Sequence, residues 1–119
     1  MGKLEPREDD AIYSDLADDR EMTDLIDRFV TSLRDRARSL RATLAAGDLE
    51  SLRRLAHRLR GAAAGYGFPS ISAAGAALED ELRAGAPSER VAVATDTVAA
   101  LCERARPGSQ AALIGADAS

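Results

Sequence analysis

One residue in this chain has a side chain whose ordinary charge change falls near neutral pH, and which can therefore act there as nucleophile or proton carrier: His57, its single histidine. A neutral imidazole nitrogen can attack phosphorus directly, and phosphoryl transfer demands in-line access more than acid–base machinery. Cys102 is the only cysteine, which excludes an internal disulfide, and one Cys with one His cannot form an ordinary structural zinc site. It is expected to be a small core residue. No Gly-rich phosphate loop or set of kinase motifs is present to hold a nucleotide, so no cofactor and no metal are expected. Any phosphoryl group would have to come from another protein.

The residues sharing a helical face with His57 are those three, four or seven positions away: Glu50, Arg53, Arg54, Arg60, Gly61 and Ala64. Gly61 is the most informative, because glycine inside a helix costs about 1 kcal/mol relative to alanine and a solvated face does not need it. Without a side chain one turn beyond His57, the ring is uncovered and a second protein can approach the backbone; Ala64 extends that clearance. Arg60 is placed to pair with phosphoryl oxygens by charge-assisted hydrogen bonds. Arg53, Arg54 and Arg58 raise the local positive potential and are candidates for docking, although an ordinary solvated helix face explains them equally well.

These residues need a rigid frame, and the periodicity supplies one. Met22, Leu25, Ile26, Phe29, Val30, Leu33, Ala37, Leu40 and Leu44 recur at spacings of three and four, predicting a helix from a cap at Asp19 to about Ala46. Gly47 and Asp48 form a stop and a new cap, so the next helix, about Leu49 to Ala64, runs antiparallel with Leu52, Leu55, Ala56, Leu59 and Ala63 inward. His57 falls about 150° from the centre of that stripe, toward water. Gly65-Tyr66-Gly67 breaks the helix, with Tyr66 and Phe68 expected to pack and fix the turn.

Pro69 suits the first turn of a helix carrying Ile71, Ala74, Gly75, Leu78 and Leu82 inward, beside which Glu79 reads as a surface residue with no assigned chemistry. Ser88 is the expected cap of a last helix, with Val91, Thr95, Val98, Leu101, Cys102 and Ala105 inward and Pro107-Gly108 as its stop. Ile12, Tyr13 and Leu16 predict a short lid helix in front. The fold expected is all-α: an antiparallel up-down-up-down four-helix bundle with a short additional N-terminal helix. Residues 8–106 form the domain, 1–7 a flexible leader and 107–119 a mobile tail. The initiating Met1 and that tail favour a free-standing protein over a segment of a larger kinase.

With 119 residues the chain has material for one core, and a formal net charge of -4 gives no footprint for nucleic acid. No apolar stretch approaches the roughly 20 residues that span a bilayer, and the N-terminus lacks the apolar core of a signal peptide, so no membrane partner and a cytoplasmic location are expected. The four apolar faces can satisfy one another, which favours a monomer.

Leu55-Ala56-His57-Arg58-Leu59-Arg60-Gly61, followed by Gly67, Ile71, Leu78 and Glu79, resembles the signature of the histidine-containing phosphotransfer (HPt) domain family, A-H-x-[LI]-[KR]-G with a later glycine and L-E. The resemblance extends over roughly residues 12–106. It implies a two-component phosphorelay intermediate: His57 would take a phosphoryl group from a receiver-domain aspartate and pass it to another. Response-regulator receivers and/or a hybrid sensor kinase would be its partners, and the carrier would have no kinase or phosphatase activity of its own. By the same resemblance Arg60 stands where the family usually has lysine, and Gly61 is the glycine that permits docking.

Overall fold

A computed structural model describes residues 10–108; the expected leader at 1–7 and most of the expected tail lie outside the described residues. Asp19 accepts the Glu21 N–H at 3.0 Å and caps a 3-10 turn, Arg20–Met22, from which helix α1, Thr23–Ala45, continues. Gly47, at φ +72°, makes the left-handed stop, and Asp48 accepts the Ser51 N–H at 3.1 Å to start α2, Leu49–Gly65. Helix α3, Pro69–Arg83, begins on its proline, and α4 spans Ser88–Arg104. Each helix packs on the next in sequence and α4 closes on α1, giving the expected four-helix bundle.

The inward stripes meet in the core, where Ile26, Phe29, Leu33, Ala37 and Leu40 of α1 and Leu52, Ala56, Leu59 and Ala63 of α2 are buried, while Leu25, expected in the α1 stripe, lies exposed in the first turn of that helix. A fully buried Leu, Ile or Phe stabilises the bundle by about 1.5–3 kcal/mol. Tyr66 stacks on Phe29 with ring centroids 4.6 Å apart, and Phe68 is buried beside them, so both aromatics fix the α2–α3 turn. Cys102 is a core residue, and burial pushes its thiol up to about 12.

Two local expectations are corrected. Ile12, Tyr13 and Leu16 do not form a helix: Ile12 makes a parallel bridge with Ala105, donating to Arg104 O at 3.0 Å and accepting from Arg106 N at 2.9 Å, and a turn follows. This strap also ties to the α2–α3 turn, since Ser14 Oγ donates to Tyr66 O at 2.6 Å and Asp15 N to Gly67 O at 2.7 Å. The strap's backbone groups find partners on two helix ends, which an isolated single turn of helix does not offer. The 3-10 turn at Arg20–Met22 is not this element: it is the first turn of the long helix expected from the Asp19 cap. At α4 the capping position belongs to Pro87, whose carbonyl accepts from Arg90 N and Val91 N; Ser88 lies inside the helix and makes no capping bond.

Candidate functional site

The centre of α2 is held unusually close to α3. Gly75 faces the α2 backbone, where an added Cβ would lie 3.4 Å from both Ala56 O and Arg60 Cβ, and Ser72 Oγ donates to Arg60 O at 2.9 Å. The residue one turn after Gly75 on this face, Glu79, is thereby carried under the rim of α2. His57 stands on that rim with its side chain 61% exposed, while Glu79 is 0% exposed.

Glu79, to which the sequence alone assigned no chemistry, stands at the centre of the site. It is no surface residue: its Oε2 accepts from His57 Nδ1 at 2.9 Å and forms an ion pair with Arg83 Nη2 at 2.8 Å, and its Oε1 accepts from Arg60 Nη1 at 2.9 Å. A buried carboxylate is costly unless paired and hydrogen-bonded, and here two hydrogen-bond donors and a further cation meet it. Burial pushes the Glu79 carboxyl up, but the hydrogen bonds from Arg60 and His57 and the Arg83 charge outweigh it, so its pKa lies below the ordinary carboxylate value. An ionised Glu79 can only accept, so in the neutral imidazole Nδ1 carries the proton and Nε2 presents the lone pair. Among the described residues Nε2 has no protein partner.

The remaining expected site residues lie on the same face with differing engagements. Gly61 and Ala64 are exposed, and a Cβ added at Gly61 would meet nothing within 4 Å; the packing of the bundle therefore gives no reason for a glycine there. Arg60 is 46% exposed and bonds Glu79 through one nitrogen. Arg53 and Arg54 both turn toward Glu50, at 2.9 and 3.8 Å, whereas Arg58 makes no ion pair with a described residue. Together Arg53, Arg54, Arg58 and His57 line a shallow depression. Arg83, at the last position of α3, enters the site without any assignment from sequence. The signal for Glu79 was the L-E of the signature; Arg83 had only its spacing of four from Glu79.

Among the described residues no group of three or more His, Cys, Asp and Glu side chains is placed to hold a metal ion, and no helix is long and apolar enough to cross a membrane. The arrangement can accept a group on Nε2, keep the opposite nitrogen protonated, and offer cationic donors to an incoming anion. No curated protein and no solved structure matches the chain. Residues 24–108 match the family described as Hpt domain. The chain belongs to the Hpt domain family, phosphocarriers that relay a phosphoryl group between receiver-domain aspartates by way of a histidine.

Proposed function

We propose that His57 is the phosphoryl-accepting residue of this phosphorelay carrier and that Nε2 is the atom that reacts. The observation that carries the proposal is the pairing of an exposed ring with a buried carboxylate: Glu79 holds Nδ1, leaving Nε2 as the free nitrogen. The Nε2 lone pair attacks the phosphorus of a receiver aspartyl phosphate, the P–O bond to the aspartate breaks, and the electron pair leaves with the carboxylate. Passing the group on is the reverse step with a second receiver.

Arg60 supplies a counter-charge to the phosphoryl oxygens, and Gly61 and Ala64 leave room for the receiver surface, supported by the open space at the Gly61 Cβ position. Arg53, Arg54 and Arg58 border the approach, where Arg58 is the cation without an ion pair among the described residues. Receivers and/or a hybrid sensor kinase are the partners in this reading, which treats residues 8–106 as the working domain, a monomer acting in the cytoplasm. A free thiol such as that of Cys102 is at home in that reducing compartment.

The experiment offers the purified chain a radiolabelled phosphorylated receiver domain, followed by a second, unlabelled receiver. Label should move onto the chain, be labile to acid and stable to base, and then move onward. His57→Gln should acquire none. Transfer to His57→Gln at the wild-type rate would refute the assignment.

A further inference from the structure

Glu79 is paired with two guanidinium groups when one would neutralise it. We propose that Arg83 is a positioning residue for phosphoryl transfer: it retains Glu79 so that Arg60 is free to swing from the carboxylate to the phosphoryl group on His57 Nε2. The inference rests on the assignment of His57 as the acceptor.

The two arginines differ in how they are tethered. Arg60 stands on α2 three residues beyond His57, so its guanidinium shares the ring's face, and only Nη1 is bonded to Glu79. Its other nitrogens have no partner among the described residues. Arg83 stands on α3 itself, one turn after Glu79, at the C-terminal end where a cation is favoured by the helix dipole. Arg83 has no reason to leave when an anion arrives at His57, whereas Arg60 is already beside it.

The exchange answers an electrostatic difficulty. If Arg60 alone balanced Glu79, its departure would leave a carboxylate that is 0% exposed with only the imidazole as partner, and Arg60 would be held back. With Arg83 in place the buried charge stays paired throughout. During the step the Nε2–P bond forms as the donor's bond to phosphorus breaks, the donor keeping that electron pair, and Nδ1 keeps its proton against Glu79. The sole relocation within the chain is that of the Arg60 guanidinium.

Phosphoramidate, a small phosphoryl donor whose leaving group is ammonia, tests this without a receiver surface. Phosphohistidine formation would be followed by phosphorus NMR for the wild type, Arg60→Met, Arg83→Met, the double variant and Arg83→Lys. Arg83 is 56% exposed and Arg60 46% exposed, so each single substitution should leave the fold intact, and circular dichroism of the double variant, in which Glu79 keeps only His57, establishes its fold before the rates are compared. Loss of a charge-assisted bond to the phosphoryl group should slow Arg60→Met about tenfold. Arg83→Met should be slowed comparably although Arg60 is present, the double variant should be no slower than Arg60→Met, and Arg83→Lys should recover most of the rate, since Arg83 uses one nitrogen. Wild-type rates in Arg83→Met, multiplicative losses in the double variant, or no recovery with lysine would each overturn the inference. A wild-type protein that gains no phosphohistidine at all would refute the His57 assignment itself, and the inference with it.

Discussion

Replacing Glu79 by glutamine keeps the shape of the side chain and removes the charge that fixes the His57 ring. A carboxylate presents two acceptor oxygens to two donors and a charge to a further cation, while an amide has one oxygen and turns an NH2 toward one of the cations. With the oxygen kept at the Oε2 position, His57 Nδ1 retains an acceptor, but a neutral one. Hydrogen bonds to charged groups contribute about 1.5–3 kcal/mol and neutral ones about 0.5–1.5 kcal/mol, so the bond that stabilises the ring as positive charge develops on it during attack weakens by about 1 kcal/mol. At 1.36 kcal/mol per factor of ten, phosphorylation by phosphoramidate should slow about fivefold. Glu79→Ala removes that charge-assisted bond altogether, about 1.5–3 kcal/mol, and should slow phosphorylation about 10- to 100-fold. Long-range proton–nitrogen NMR of the imidazole reads the tautomer directly. An Nδ1–H ring and an unchanged rate in a folded Glu79→Ala protein would refute the positioning role.

Other consequences follow from single positions. Gly61→Leu should abolish most transfer from a phosphorylated receiver while leaving phosphoramidate labelling of His57 within about twofold, and should raise the denaturation midpoint, since glycine costs about 1 kcal/mol in a helix interior and the new Cβ meets nothing; equal receiver transfer in the two proteins would sink the clearance argument. Gly67→Ala should destabilise the fold by about 1–3 kcal/mol in urea titration, because φ is +83° and the added Cβ would lie 2.5 Å from Ser14 Oγ, displacing the strap; an unchanged midpoint would contradict it. Because the Glu79 carboxyl is held below its ordinary value when folded, the stability it contributes is fully present above about pH 4.5 and is lost as pH falls through the folded value. The stability gap between wild type and Glu79→Gln should therefore be constant near neutrality and shrink below pH 4.5; a gap that widens on acidification would contradict the sign.

The bundle was legible because its signals are local and redundant. Four apolar stripes at spacings of three and four, a Gly47-Asp48 stop and cap, and Pro69 at a helix start all pointed the same way. Exposure of His57 followed from its angle to one stripe, and the absence of a packing role for Gly61 agrees with what its residue type suggested. The strap was not legible. Ile12, Tyr13 and Leu16 fit a helical face over too few residues to exclude an extended segment, and its partners, Ala105 and the α2–α3 turn, are distant in sequence.

Glu79 shows a different kind of limit. A glutamate adjoining Leu78 ordinarily points to water, and its burial is set by how closely α3 approaches α2 at Gly75, a distance no spacing within α3 encodes. Two hydrogen bonds from α2 and an ion pair within α3 then make that burial tolerable. Arg60 likewise fits a phosphoryl counter-charge from sequence, but only the structure shows that Glu79 holds it in the resting protein.

The most direct measurement is heteronuclear phosphorus–nitrogen NMR of the phosphorylated chain with nitrogen-15 in the imidazole. We expect one phosphohistidine signal, with phosphorus coupled to His57 Nε2 and a proton retained on Nδ1 beside Glu79. Phosphorus coupled to Nδ1, or a phosphoryl group found on any other residue, would contradict the account.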